Sequence, residues 1–241
     1  MTEPIFHTDS SVREFDAEVT AIDADSRHVV LNRTAFYPGG GGQPHDLGTL
    51  GWSSAGADVA RVAWGPGGVV HHLSGAPPAV GTTVRGVVDW ERRHALMRTH
   101  TALHILCGVV WRDYGAQVTG GNMQPLRGRL DFEFERLGGE LIEHIEAKMN
   151  IEVDAAREVR VAVLPREEAF AIPDLIRTKV NLVPESLQQI RTVEIVGLDL
   201  QADGGTHVAN TREVGAIRIA GYKSKGRINK RIQIELEARA G

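Results

Sequence analysis

Cysteine occurs once in the 241 residues, as Cys107, so no disulfide can form within the chain and a reducing compartment is indicated. Long apolar runs are also missing. Nothing reaches the roughly 18 residues that a membrane helix needs, and the opening stretch, with Glu3, Asp9, Arg13, Glu14 and Asp16, has no apolar core for a signal peptide. A cytoplasmic protein with no membrane partner is the expectation, and no obligate protein partner is evident. An excess of basic residues is absent as well: 27 Lys and Arg against 31 Asp and Glu leave a formal net charge of -4. That argues against wholesale wrapping of nucleic acid, which favours strongly basic domains.

Two catalytic signatures are lacking. The run Gly39-Gly40-Gly41-Gly42 is not followed by Gly-Lys-Ser/Thr, so it is no P-loop and nucleotide hydrolysis gains no support. The pair His100 and His104 has the spacing of a zinc-protease helix, but the general-base Glu that should follow the first histidine is replaced by Thr101. That substitution argues against peptide hydrolysis by that route.

What is present is a constellation in two distant stretches. Arg98-Thr99-His100-Thr101-Ala102-Leu103-His104 lies in a segment, Glu91 to Asp113, whose apolar residues recur at helical intervals with no glycine or proline before Gly108. On a helix, His100 and His104 stand one turn apart on one face, where both imidazoles can reach a single ion. Alone this pattern is weak, because histidines at that spacing often occupy a polar edge. About a hundred residues later, Asp203-Gly204-Gly205-Thr206-His207 offers a carboxylate and a third imidazole on a glycine-loosened turn. Three histidines and one aspartate form a candidate ligand set for zinc or a similar transition metal. Cys107 stands a further turn along the helix and reads as a buried, inert thiol.

The surrounding texture predicts an α+β protein in two parts, residues 1–90 and 91–241. In the first, short strands (Glu14 to Ile22, Arg27 to Thr34, Val59 to Trp64, Val69 to Leu73, Thr82 to Val88) are separated by turn residues. So many short strands need their edges hidden, which predicts a small barrel-like domain. The glycine run, within Phe36-Tyr37-Pro38-Gly39 to Gln43-Pro44, is either a flexible linker or a loop whose amides approach something closely. In the second part, helices are predicted at Glu91 to Asp113, at Leu141 to Ala156 and after Pro165. Strands are predicted at Leu130 to Phe134, Glu158 to Leu164, Arg191 to Val196, Ala216 to Ala220 and Arg231 to Glu237, with Thr119 on a Thr-Gly-Gly loop. From Gly221 to Arg231 the chain carries Lys223, Lys225, Arg227, Lys230 and Arg231 without an acidic residue. The remaining histidines, His71 and His72 included, read as surface or capping residues.

Three of these stretches together resemble a known family. The glycine motif from Phe36 to Pro44, the helix motif His100 to His104, and Gly197-Leu198-Asp199-Leu200-Gln201-Ala202-Asp203-Gly204-Gly205-Thr206-His207-Val208 are similar to the freestanding alanyl-tRNA editing proteins, relatives of the editing domain of alanyl-tRNA synthetase. The resemblance covers nearly the whole chain, in the family's motif order. It implies a β-barrel-like domain followed by an editing domain that holds zinc, and a hydrolase that cuts the ester joining serine, and secondarily glycine, to tRNA(Ala). It makes His100, His104 and His207 ligands. Asp203 stands where the family usually has cysteine, and a carboxylate, harder than a thiolate, lowers selectivity for zinc. Gln43, Thr101, Thr119, Gly204 and Gly205 are then candidates to hold the substrate, and Lys223 to Arg231 to meet acceptor-stem phosphates. Two other readings remain open at this level: a non-catalytic tRNA-binding module with a structural or lost metal site, and a metal-dependent hydrolase of small esters or amides.

Overall fold

A computed structural model describes residues 2–238 apart from Ala24, Ser26, Ser54, Arg136 and Leu182. The chain divides into two compact units, Met1–Ala95 and Leu96–Gly241.

In the first unit the strands are β1 (Glu3–Pro4), β2 (Glu14–Asp23), β3 (His28–Leu31), β4 (Arg33–Thr34), β5 (Gly48–Trp52), β6 (Ala55–Gly65), β7 (Gly68–Leu73) and β8 (Thr83–Val88). Six of them close a barrel in the order β2-β3-β7-β6-β5-β8, with β1 and β4 forming a short parallel pair beside it. Closure follows from period-two alternation: Phe15, Ala17 and Val19 on β2, and Val84 and Val88 on β8, are buried while their neighbours face out. β5 escaped the sequence reading, because Gly-Thr-Leu-Gly-Trp carries only one fully inward apolar residue, Leu50. The barrel-first, α+β-second architecture is the one expected.

The four glycines are a built turn rather than a linker. Gly39 to Gly42 all take positive φ (82, 146, 58 and 91°), and Gly40 and Gln43 exchange two backbone hydrogen bonds of 3.1 and 2.9 Å. A residue with a Cβ is strained in that conformation. The turn is tied down where Tyr37 N–H donates to Asp46 Oδ2 at 2.6 Å and Asp46 N–H returns to the Tyr37 carbonyl at 2.9 Å. Asp46 in turn forms a fully buried ion pair with Arg93.

One histidine departs from expectation. His71 is an inward residue of β7, wholly buried, with Thr34 Oγ1 2.9 Å from Nε2 and the Val29 carbonyl 3.3 Å from Nδ1. Burial pushes its pKa down to about 4, so it is a neutral core residue, not a capping one. His72, next along the strand, is half-buried.

Helix α1 (Trp90–Tyr114) starts in the first unit and continues into the second, its first turn capped by Asp89, whose Oδ1 accepts from Arg92 N–H at 3.1 Å. The second unit adds β9 (Val118–Gln124), β10 (Arg127–Glu133), α2 (Gly139–Asp154), β11 (Val159–Pro165), α3 (Arg166–Ala171), β12 (Gln189–Ile195), β13 (Asp199–Ala202), β14 (Ile217–Ser224) and β15 (Asn229–Leu236). They form an antiparallel sheet in the order β14-β15-β10-β9 and a smaller one, β11-β12-β13. Thr119 and the two glycines after it lie on strand β9, not on a loop. Gly121 pairs with Leu130 so closely that a Cβ would come within 2.9 Å of the leucine side chain, so glycine here serves strand packing.

Two glycine contacts place α1. A Cβ on Gly128 of β10 would meet Leu103 at 2.9 Å, and a Cβ on Gly108 of α1 would meet Leu198 Cγ at 2.9 Å and Asp199 Cβ at 3.0 Å. The helix is therefore pressed against β10 at one point and against the start of β13 at another.

Candidate metal centre

β13 pairs antiparallel with β12 (Ile195 opposite Asp199, Thr192 opposite Ala202) and delivers the chain into the turn that begins at Asp203. That turn is self-tied: Asp203 Oδ2 accepts the Gly205 backbone N–H at 2.7 Å, an Asx-type closure available to a short carboxylate followed by glycines. Its base is anchored on β12, where Arg191 Nη1 donates to the Asp203 carbonyl at 2.9 Å and Asp203 N–H donates to the Arg191 carbonyl at 3.1 Å.

The turn brings His207 onto α1. The rings of His100 and His104, one helical turn apart, have centroids 5.1 Å apart, and His207 lies 4.2 Å from the first and 4.7 Å from the second. One ligand atom from each of His100, His104, Asp203 and His207 can be chosen so that all four lie within 4.8 Å of one another. Asp203 Oδ2 is 3.1 Å from His207 Nε2, and Oδ1 is 3.5 Å from His100 Nε2. All three histidines are buried, at 5 to 6% exposure, which keeps water from competing for their nitrogens.

Each of two imidazoles is held by the element that does not carry it. His207 Nδ1 lies 3.2 Å from Thr101 Oγ1 on α1, and the same hydroxyl oxygen accepts the Val208 N–H at 3.3 Å. His104 Nδ1 lies 3.0 Å from Asp199 Oδ2 on β13. With Nδ1 engaged outward, Nε2 is left to face the centre, the usual arrangement of a ligating histidine.

The charge states suit a cation. Burial holds His100 well below the ordinary imidazole range and brings His207 down to about 4. Both are neutral at physiological pH, with lone pairs available. For His104, burial pulls the pKa down, but the hydrogen bond and charge of Asp199 outweigh it and raise the value. For Asp203, burial pushes up, and the field of His100 together with the hydrogen bond from His207 drives the pKa well below the carboxylate range. A half-buried carboxylate facing three buried imidazoles is a donor set that fits zinc or a related divalent ion. Among the described residues the group contains no cysteine. Cys107 is buried outside it, and burial lifts its thiol well above the normal range.

The other sequence candidates are placed as follows. Thr101 is fully buried, its hydroxyl turned to His207; Gly205 N–H is bound to Asp203; Gly204 is exposed. Thr119 is exposed on β9 and donates to Asn229 Oδ1 at 3.3 Å. Gln43, in the first unit, is buried at 3% exposure. In the β14–β15 hairpin, Lys223 and Arg227 are exposed. Lys225 and Arg231 converge with Arg129 on Asp131, at 3.1, 2.7 and 3.2 Å, and Lys230 is buried with Nζ donating to the Gly226 and Arg227 carbonyls. Sequence reasoning passed over Asp199, Gln201, Arg177 and Arg191. Asp199 had a signal, an acidic residue one helical-turn length before Asp203 in a strand that is otherwise apolar or amide.

Family comparison agrees with this layout. Residues 5–92 match the model described as tRNA synthetases class II (A), and residues 190–233 match the threonyl and alanyl tRNA synthetase second additional domain. The chain is 39% identical over 236 residues to the alanyl-tRNA editing protein AlaX-M of Saccharolobus solfataricus, covering 96% of this chain and 98% of that one. It belongs to the AlaX-M family. The AlaX-M of Methanosarcina acetivorans is 34% identical over 244 residues, covering 98% of this chain and 99% of that protein. In the alanine–tRNA ligase of Pyrobaculum neutrophilum, 225 residues at 38% identity cover 90% of this chain but 25% of the ligase. The chain thus matches a segment of a larger enzyme and nearly the full length of the AlaX-M proteins.

Proposed function

We propose that this protein is a trans-editing hydrolase that removes a wrong amino acid, chiefly serine and secondarily glycine, from tRNA(Ala). The observation that carries the reading is the convergence of His100, His104, Asp203 and His207 on one buried point in a chain belonging to the AlaX-M family. On this reading residues 91–241 form the metal-binding editing domain, residues 1–90 the barrel with the glycine motif, and the protein works in the cytoplasm, where charged tRNA is made.

The four residues would hold the ion, which we take to be zinc. When bound, such an ion supplies Lewis-acid polarisation and lowers the pKa of water at the site. In the net reaction the water oxygen bonds to the ester carbonyl carbon, the bond from that carbon to the ribose oxygen breaks, the ribose oxygen takes one water proton to become a hydroxyl, and the amino acid leaves with its carboxyl group, releasing the other proton as it ionises. The protein's part is positional. Thr101 sets the plane of the His207 imidazole, and the buried walls exclude bulk water.

Serine differs from alanine by one hydroxyl, and a site that bonds that hydroxyl discriminates strongly against a substrate lacking it. Since Thr101 and the Gly205 amide serve the centre itself, we assign that contact to Thr119 or Gly204. Lys223, Lys225, Arg227, Lys230 and Arg231 would form the tRNA contact. Lys223 and Arg227 would meet phosphates directly, Lys225 and Arg231 from the Asp131 cluster, and Lys230 would hold the hairpin tip in shape.

The test is deacylation of serine-, glycine- and alanine-charged tRNA(Ala), with metal content measured on the same preparation. Release of serine well above release of alanine, abolished by His100→Ala and His207→Ala, is expected. Full activity in those variants would remove the site assignment.

A further inference from the structure

Behind His104, on the side away from the four ligand atoms, lies a buried polar assembly that the proposed reaction does not use. Asp199, 3% exposed, heads β13 and directs Oδ2 to His104 Nδ1 at 3.0 Å. The same oxygen accepts the Gln201 side-chain N–H at 2.7 Å. Its other oxygen, Oδ1, faces Arg177 Nε at 3.6 Å, and that guanidinium lies over the Trp111 ring at 4.6 Å. The carboxylate is thus surrounded by donors: an imidazole, an amide N–H and a guanidinium.

We propose that Asp199 is a positioning residue for the metal centre, fixing His104 as the Nδ1–H tautomer so that its Nε2 lone pair is aimed at the point shared with His100, Asp203 and His207. Three observations converge on this. First, a neutral imidazole has one N–H and one lone pair, and a hydrogen bond donated from Nδ1 leaves the lone pair on Nε2. Second, the approach of Asp199 to the helix is built in, because Gly108, one turn after His104, leaves room for the Leu198 carbonyl and side chain and for the Asp199 Cβ, which a Cβ at position 108 would meet at 2.9 to 3.1 Å. Third, both polar neighbours of Oδ2, His104 Nδ1 and the Gln201 amide, are hydrogen-bonded to it, and Oδ1 meets only the charge of Arg177 at 3.6 Å, so an amide in its place would turn its NH2 either toward these groups or toward a guanidinium. Gln201 holds the carboxylate by its hydrogen bond to Oδ2, Arg177 faces it as a charge 3.6 Å from Oδ1, and Asp199 holds the imidazole. A carboxylate or carbonyl behind a metal-bound imidazole is conserved in effect across unrelated centres, and its loss lowers metal affinity about 10–100-fold.

This inference rests on the four-residue centre binding a metal, and the experiment separates the two ideas. The full-length apoprotein is titrated with Co2+ and with Zn2+ against a chromophoric chelator, for the wild type, Asp199→Asn and Asp199→Ala, with the Co2+ ligand-field spectrum recorded at saturation. The wild type should bind one equivalent. Asp199→Asn, close to isosteric and expected to fold, should bind about 10–100-fold more weakly with an altered spectrum, and Asp199→Ala at least as weakly. A far-ultraviolet circular dichroism spectrum unchanged from the wild type establishes that the loss is local. Wild-type affinity and spectrum in folded Asp199→Asn would overturn the role of Asp199 while leaving the metal centre intact. Failure of the wild type to bind either ion would overturn both.

Discussion

The Thr101 hydroxyl lies 3.2 Å from Nδ1 of His207, a residue 106 positions further along the chain, and also accepts the backbone N–H of Val208. The residue that breaks the zinc-protease signature is therefore the one that clamps the third imidazole to the helix. Thr101→Val keeps the shape and removes the hydroxyl. It should weaken metal binding by about tenfold, the lower end of the range for such supporting contacts, as read by chelator competition. If metal affinity is unchanged and only KM for serine-charged tRNA rises, Thr101 is a substrate contact instead.

Asp203 makes the centre a nitrogen and oxygen site. Replacing it with cysteine supplies a soft thiolate, which favours zinc over harder divalent ions. Asp203→Cys should raise the ratio of Zn2+ to Mn2+ affinity, and its Co2+ complex should gain a sulfur-to-metal charge-transfer band in the near ultraviolet. Absence of that band would show that residue 203 is not a ligand.

Gly108 is where α1 and β13 come closest. Alanine is intrinsically better in a helix by about 1 kcal/mol, yet the added Cβ would stand 2.9 Å from Leu198 Cγ and 3.0 Å from Asp199 Cβ. Overpacking of this kind costs about 1–3 kcal/mol, so Gly108→Ala should lower the urea midpoint despite its propensity, and weaken metal binding with it. A more stable variant would mean that the strand yields freely.

Asp131 gathers Arg231, Lys225 and Arg129, and the hydrogen bond from Arg231 overcomes the opposing effect of burial to bring its pKa down to about 2. A carboxylate with a depressed folded pKa stabilises the protein above its unfolded value, near 3.8, and that contribution disappears as pH falls toward about 2. The stability difference between wild type and Asp131→Asn should accordingly be largest above pH 4 and shrink through this window. Thermal melts of both proteins across that range measure it; a constant difference would contradict the assignment.

The hairpin cations divide by task. Lys223→Ala and Arg227→Ala should each weaken tRNA binding and reduce the dependence of log K on log salt by about 1, with little change in stability. Lys230→Ala should instead lower stability, because it removes the buried donor to the Arg227 carbonyl and leaves the Gly226 carbonyl with the Ser224 hydroxyl alone. Equal salt slopes for wild type and the first two variants would remove this face from the RNA contact.

Local pattern alone was enough to establish the barrel's alternating strands, the helix bearing His100 and His104, and the D-x-x-x-H spacing of the later turn. Each of these depends on periodicity or on ligand spacing within a few residues, and such information is carried by neighbours in the chain. β5, β9 and β13 were not legible, because glycine-rich or four-residue strands acquire their identity from the partners they pair with. The turning of Thr101 toward His207 and the backing of His104 by Asp199 were decided only in three dimensions. They follow from which surfaces come into contact when β13 meets the helix at Gly108, and a hydrogen bond between residues about a hundred positions apart leaves no periodic trace in either segment.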